Sequence, residues 1–251
     1  RLVGSEMCIR DSSGADNKII KPYEPKKYKD ETRSYTTAND MAILTNHLLR
    51  KYPNILKMTQ LETDTQYHQQ LHNTNLSLPH QSLGMKNVDG LKTGTSKEGY
   101  NLALTAKKDQ LRVNTNLFNI QPYPSEKAKF ARHKVANALT QNAFKNYTYR
   151  KVVSKGVHQI DGKTYNVKED LYDVVPKDKS KYELKISGKN YLSVKYNRQF
   201  TKGEHIPSVK VEPKFNFLSV SFQITLAIAG IILVSVIVII AVSYTHLTLP
   251  T

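Results

Sequence analysis

An uncharged apolar run near the C-terminal end most constrains what this chain can fold into. Residues 217–241 contain no charged side chain, and residues 224–241 are mostly Ile, Val, Leu and Ala. A helix of this length crosses the roughly 30 Å hydrocarbon core of a bilayer. The alternative, a buried core helix, fits poorly because core helices seldom run so far without a charge. The sequence therefore predicts a single transmembrane helix over 217–241. Its orientation cannot be predicted, because that requires comparing the charges on both flanks and only the flank with Lys210 and Lys214 is informative.

The two ends of the chain look foreign to the rest. Residues 1–12 and 242–251 resemble in-frame translations of the adapters used in sequencing libraries, one at each end. A natural signal peptide and tail are the alternative, but residues 1–12 have no apolar core and do not start at a Met. We therefore expect the natural part to be about 13–241, with sequence continuing beyond both borders. The single cysteine of the chain, Cys8, would then belong to an adapter.

Charge and cysteine content limit the classes of partner and site. The chain has 37 Lys and Arg against 21 Asp and Glu, a net charge of +16, which favours an anionic partner such as nucleic acid, a membrane surface or an acidic polymer. One cysteine excludes a disulfide scaffold and a Cys-based metal site. His68 and His72 have the spacing of a helical metal pair, but we expect no helix there and predict no metal and no cofactor.

Apolar periodicity predicts an α+β arrangement over residues 37–144. A capping box at Thr37 and Asp40 opens a helix over about 37–51, and a second short helix runs from Pro53 to Met58. Strand patterns at 88–96, 100–106 and 111–118 predict an antiparallel ladder, followed by a helix over 125–144. The predicted buried faces are, in the first helix, Met41, Leu44, Leu48 and Leu49, and in the last helix, Ala128, Ala131, Val135, Ala138 and Leu139.

From about residue 147 the apolar period changes to two. Asp161-Gly162 between two strand patterns predicts a hairpin with a two-residue turn, and Tyr182–Ile186, Leu192–Tyr196 and Val209–Val211 predict further strands. Interleaved Tyr and Lys residues here are also compatible with a nucleic-acid face, but outward-facing lysines on strands favour attraction to anionic wall polymers. We expect a small all-β domain over 147–213, between a domain ending at 146 and the apolar helix.

One short motif carries chemistry. Lys92-Thr93-Gly94 lacks the glycine spacing of a phosphate-binding loop, and Asp89-Gly-Leu-Lys-Thr-Gly-Thr-Ser96 resembles the third active-site motif of penicillin-binding proteins and serine β-lactamases. Ser13–Asp16 is similar to a segment downstream of the second motif of these enzymes. Thr36–Met41 with Tyr52–Leu56 is similar to a helix pair of the S11 serine D-Ala-D-Ala carboxypeptidases. The ordered set, with a β-rich module and a terminal anchor, resembles staphylococcal low-molecular-mass penicillin-binding proteins over 13–241.

The resemblance implies a role for each motif residue. Lys92 would hold the free carboxylate of the substrate and take part in the proton network of the nucleophile, while Thr93 would add a hydroxyl at the same edge. Gly94 would let the substrate backbone approach closely. The Thr95 N–H would be the second oxyanion-hole donor, and its hydroxyl would touch the carboxylate. Arg33 is either a residue of the cleft rim or an ordinary solvated arginine.

The resemblance also implies the partners and the location. The fold would be part of a serine β-lactamase/DD-peptidase-like domain, an antiparallel sheet with helices. Its substrate would be a peptidoglycan stem peptide ending in D-Ala-D-Ala, with β-lactams as inhibitors and no nucleic-acid partner. The catalytic part would lie outside the cell membrane of a Gram-positive type envelope.

The chain departs from this family in one decisive respect. Neither a Ser-x-x-Lys nor a Ser-x-Asn motif occurs anywhere in its sequence, and without a nucleophile and its base no acyl-enzyme forms. We therefore expect this chain as written to be inactive. The alternative function is a non-catalytic, membrane-anchored wall-binding protein of the same ancestry, which the sequence upstream of Ser13 in the intact gene would distinguish from an enzyme.

Overall fold

The computed structural model describes residues 36–214 and 217–247, and the predicted α+β class is confirmed. The helices, with two short 3₁₀ turns at Pro53–Ile55 and Lys179–Lys181, are α1 Ala38–Lys51, α2 Leu56–Thr59, α3 Glu126–Asn146 and α4 Phe217–Leu247. The strands are β1 Thr63–Gln66, β2 Gln69–His72, β3 Val88–Ser96, β4 Gly99–Lys108, β5 Leu111–Ile120, β6 Tyr147–Val153, β7 Gly156–Ile160, β8 Lys163–Val167, β9 Leu171–Pro176, β10 Glu183–Ile186, β11 Tyr191–Lys195 and β12 Ser208–Pro213.

The chain divides into two compact units. Unit 1 contains the described residues up to 153, together with 171–185 and 193–208. Unit 2 contains 154–170, 186–192 and the described residues from 209 onward. The hairpin of β10 and β11 therefore has its turn in unit 2 and its outer halves in unit 1.

Unit 1 is built around the three-stranded antiparallel sheet β3–β4–β5. β3 pairs with β4 with an irregularity between Val88 and Gly90, and β4 pairs with β5. Leu102 and Leu104 of β4 are buried and meet Ala136 and Phe144 of α3 in one apolar core. The predicted ladder is thus confirmed, and the helix that follows it covers one face of the sheet.

The start of α1 is the predicted cap. The Thr37 hydroxyl oxygen accepts a hydrogen bond from the Asp40 backbone N–H at 3.1 Å, and the hydroxyl donates to the Asp40 carboxylate at 3.0 Å. The predicted buried face is wrong in part, because Leu44 is exposed and Thr45 is buried instead. Thr45 is accommodated because its hydroxyl donates to the Asn116 side chain on β5 at 3.4 Å.

Helix α3 presents a different face to the sheet than its apolar residues predict. Val135 and Leu139 are 42% and 50% exposed, whereas Arg132, His133 and Thr140 are buried. The prediction is right for Ala128, which is 2% exposed, and wrong for Val135, Ala138 and Leu139, because it counted only apolar side chains. Each of these three polar side chains is hydrogen-bonded inside unit 1, which removes most of the cost of burying it.

Unit 2 contains the strongest local prediction of the chain. Asp161 and Gly162 have φ values of +50° and +75°, the left-handed conformation that a two-residue primed turn requires. The turn joins β7 to β8 as predicted, and β12 adds to the other side of β8 with Val211 opposite Val167. Both valines are fully buried.

Helix α4 carries the apolar run. Its window from Phe222 to Ser243 has a mean hydropathy of 3.1 over 22 residues, and none of that window is buried. The helix is therefore long and apolar enough to span a membrane, and a core helix, which would be mostly buried, does not describe it.

Candidate active site

The Lys92–Thr95 motif lies in the middle of β3. In the described part of the chain β3 has a partner strand on one side only, β4, so its other side is an open sheet edge. The motif pairs through Lys92↔Ala103, Thr93↔Leu102, Gly94↔Asn101 and Thr95↔Tyr100. An open edge of this kind accepts an extended peptide as an additional strand.

The side chains of the motif differ in exposure. Lys92 and Thr95 are exposed, while Thr93 is buried. The Lys92 ammonium donates to the Thr93 carbonyl oxygen, and no carboxylate among residues 36–214 and 217–247 forms an ion pair with it. The Thr93 hydroxyl shares a hydrogen bond with the hydroxyl of Thr74. The Lys92 ammonium and the Thr95 hydroxyl thus remain accessible on the motif.

Close packing leaves little room for a side chain at Gly94 and at Gly90. A Cβ at Gly94 would lie 3.3 Å from the Asn101 Cβ, and a Cβ at Gly90 would collide with the Thr59 hydroxyl oxygen. The bare backbone at Gly94 also leaves room for another chain beside the strand.

The N-terminal end of β3 is fixed by an ion pair that the sequence does not reveal. Asp89 accepts two hydrogen bonds from the Arg112 guanidinium, at 2.8 and 2.9 Å, and its backbone carbonyl accepts one from the Thr59 hydroxyl. Such bidentate pairs add geometric specificity. The strand is therefore held in place three residues before the motif begins.

A buried polar cluster lies behind the motif. One Arg132 nitrogen, Nη1, donates to the carbonyl oxygens of Gly94 and Asn101 at 2.9 and 3.2 Å. Arg132 Nε donates to His133 Nε2 at 3.1 Å, and His133 Nδ1 lies 3.1 Å from the Ser77 hydroxyl oxygen. Burial and the positive charges of Arg132 and Lys129 lower the pKa of His133 to about 4.

Arg132 is only 2% exposed. Burial lowers the pKa of its guanidinium from the ordinary value, and the neighbouring Tyr100 acts in the opposite sense. The guanidinium carbon lies 5.4 Å from the centre of the Tyr100 ring, within the range of a cation–π contact. Sequence reasoning missed this cluster because its members are separated by up to 56 residues along the chain.

The remaining candidates lie elsewhere. His68 and His72 are exposed on the β1–β2 hairpin, and within the described residues no group of three or more metal-ligating side chains comes together. Arg33 and the Ser13–Asp16 segment lie outside the described residues.

Comparisons with known proteins bear on both halves of the chain. Residues 22–121 match the model of the family Peptidase_S11, described as D-alanyl-D-alanine carboxypeptidase, and residues 149–212 match DUF1958, a domain of unknown function. D-alanyl-D-alanine carboxypeptidase DacA of Haemophilus influenzae is 28% identical over 138 residues, which are 54% of this chain and 33% of that protein.

Two solved structures share the fold. A peptidoglycan synthesis regulatory factor (PBP3) from Streptococcus pneumoniae matches with a TM-score of 0.59 and 22% identity, over 83% of this chain and 64% of its own. Penicillin binding protein 5 from Haemophilus influenzae matches with a TM-score of 0.50 and 20% identity, over 78% and 63%. The chain thus spans a third of the curated relative's length and less than two thirds of either structure. The matches show that residues 22–121 are similar to the D-alanyl-D-alanine carboxypeptidases of the Peptidase_S11 family, and that the chain has the fold of the two solved penicillin-binding proteins.

Proposed function

We propose that this chain is part of a serine-type D-Ala-D-Ala carboxypeptidase or transpeptidase that acts on peptidoglycan stem peptides. The observation that carries the proposal is the placement of Lys92 and Thr95, exposed on the open edge of β3, next to a glycine whose backbone is bare. A stem peptide ending in D-Ala-D-Ala has an extended backbone and a terminal carboxylate. The strand edge supplies hydrogen-bonding groups for that backbone, and the Lys92 ammonium supplies the charge for the carboxylate.

The proposed reaction proceeds through an acyl-enzyme. A serine attacks the carbonyl of the penultimate D-Ala, and the terminal D-Ala leaves as its amine takes up a proton. The Thr95 N–H donates to the oxyanion that forms during the attack. Water then releases the shortened peptide, or the amine of a second stem peptide completes a cross-link. β-Lactams would be inhibitors, because they acylate the same serine.

The nucleophile must come from sequence that this chain does not contain. We propose that the natural protein extends upstream of Ser13, that residues 1–12 and 242–251 derive from adapters, and that the intact protein resembles penicillin-binding protein 4 of staphylococci. Amplifying and sequencing the genomic locus tests this directly. A locus that encodes both end segments would contradict the adapter origin, and an intact gene without Ser-x-x-Lys would favour the non-catalytic wall-binding alternative.

Penicillin labelling tests the enzymatic proposal. We expect the longer protein to be labelled by a fluorescent penicillin and the present chain to remain unlabelled. Lys92→Ala in the longer protein should slow acylation about 10- to 100-fold, the value of one hydrogen bond to a charged group. Lys97→Ala is the matched control, since Lys97 is an exposed lysine in the adjacent β3–β4 turn. Equal labelling of both variants would contradict the role of Lys92.

We further propose three regions and one location for this protein. Residues 13–146 form part of the penicillin-binding domain, 147–213 a β-rich domain, and 217–241 an anchor that holds the catalytic part outside the membrane of a Gram-positive type envelope. Arg33 remains a candidate for the cleft rim. Deleting 222–243 should move the protein from the carbonate-resistant membrane fraction to the supernatant, and retention in the membrane would contradict the anchor.

The excess of basic residues supports a second partner, an anionic polymer of the cell wall, and no nucleic acid. Exposed cations of the β-rich part attract such a polymer by charge alone. Binding should therefore weaken steeply as salt is raised. Salt-insensitive binding to the polymer would count against this proposal.

A further inference from the structure

The Arg132 guanidinium is fully buried without a counter-charge among the described residues. Its hydrogen bonds go to two backbone carbonyl oxygens and to a histidine ring nitrogen, and it lies against the Tyr100 ring. A buried cation is costly unless its surroundings compensate it. Tying α3 to the sheet does not require a charge, because Thr140 on the same helix does so with a neutral hydrogen bond to Thr115 on β5. The position of the charge therefore needs an explanation.

The position of the charge fixes one peptide plane of the motif. Arg132 Nη1 bonds the carbonyl oxygen of Gly94 and also that of Asn101, the residue opposite Gly94 on β4. The Gly94 carbonyl therefore points toward β4. The carbonyl and the N–H of a trans peptide point in opposite directions in one rigid plane. The N–H of Thr95, which belongs to the same peptide, therefore points away from β4 toward the open edge of β3.

We propose that Arg132 is a positioning residue that aims the Thr95 N–H at the oxyanion of the acylation step. This inference rests on the proposed function, because it assigns Arg132 a part in the same reaction. The guanidinium acts in two ways. It prevents the Gly94–Thr95 peptide from rotating about the strand axis, and its charge polarises that peptide so that the N–H becomes a stronger donor.

His133 and Ser77 hold the guanidinium in turn. Because His133 Nε2 accepts from Arg132 Nε–H, the ring proton of the neutral imidazole lies on Nδ1, which donates to the Ser77 hydroxyl oxygen. The low pKa of His133 keeps the ring neutral at physiological pH. A protonated ring would have no lone pair for Arg132 and would place a second positive charge beside the first.

Kinetics of the longer protein distinguish positioning from mere structural support. Arg132→Met keeps the side-chain volume and removes the charge and the donors. We expect it to lower kcat for a D-Ala-D-Ala peptide about 10- to 100-fold with little change in KM, since an oxyanion donor acts in the transition state. Arg132→Lys, which keeps the charge, should recover part of that loss. Thr140→Val is the control, because it removes another buried hydrogen bond of α3 and should leave kcat unchanged below its melting temperature.

A second measurement does not depend on activity. The backbone amide resonance of Thr95, measured by NMR on the 251-residue chain in detergent micelles, should shift in Arg132→Met and far less in Thr140→Val. An unchanged Thr95 amide in a folded Arg132→Met variant, or an unchanged kcat, would overturn the proposal. If the unmodified longer protein neither hydrolyses the peptide nor binds penicillin, the proposed function fails, and the amide shift alone still decides whether Arg132 positions the peptide.

Discussion

Acid should destabilise unit 1 through a single histidine. His133 is fully buried, with its pKa lowered from 6.5 to about 4. The unfolded chain binds this proton more readily than the folded one, so acidification favours unfolding. The contribution of neutral His133 to the free energy of unfolding is complete above pH 6.5 and is lost as the pH falls toward 4. The full effect is about 3 kcal/mol, of which about 2 kcal/mol should disappear between pH 7 and pH 5.

The comparison of two variants isolates this effect from the titration of carboxylates. Glutamine at position 133 places a polar group at a similar distance from the backbone and carries no charge at any pH. Urea unfolding of both proteins is followed by near-ultraviolet circular dichroism of the tyrosines. We expect the difference in free energy of unfolding between wild type and His133→Gln to change by about 2 kcal/mol from pH 7 to pH 5, to the disadvantage of wild type. His47→Gln, which removes an exposed histidine of α1, should keep the wild-type slope. Parallel pH profiles of wild type and His133→Gln, or a His133 ring that titrates above pH 6 by NMR, would refute the reasoning.

Three further predictions concern stability and are checked by urea unfolding. Arg198→Met should lower the free energy of unfolding by about 3–5 kcal/mol, because the Asp173 carboxylate, whose side chain is 3% exposed, would lose two hydrogen bonds of 2.7 and 2.8 Å. A decrease below about 1 kcal/mol would contradict this. Thr140→Val should cost about 1–3 kcal/mol by leaving the Thr115 hydroxyl unpaired, and the Thr115→Val/Thr140→Val double variant should be more stable than the single one. Gly162→Ala should lower the free energy of unfolding by about 1 kcal/mol, since alanine is strained at a φ of +75°, and a neutral substitution would argue against the primed turn.

Features governed by neighbours in sequence could be predicted. The α1 cap depends on Thr37 and Asp40, three residues apart, and the β7–β8 turn depends on the adjacent pair Asp161 and Gly162. The strand order β3–β4–β5 follows from short connections between alternating patterns. The Lys92–Thr95 motif could be located for the same reason, because its residues are consecutive.

The surroundings of the motif could not be predicted from the sequence. Arg132 lies 38 residues from Gly94 along the chain, and Thr74 lies 19 residues from Thr93. Nothing in the local pattern marks Arg132 as buried, because charged residues are expected on the outer face of a helix. Apolar periodicity likewise pointed to Val135, since it does not register polar side chains whose partners lie on another element.

Unit 1 combines segments that are far apart along the chain, and this affects the order in which its contacts form during synthesis. Glu204 accepts hydrogen bonds from Asn46 and Arg50 of α1, although 158 and 154 residues separate them along the chain. At a synthesis rate of about 5–20 residues per second, α1 is synthesised about 8–30 s before this carboxylate. Contacts between residues so distant in sequence also form slowly. The nascent chain therefore completes its local hairpins first, and α1 acquires this carboxylate as a partner only late in synthesis.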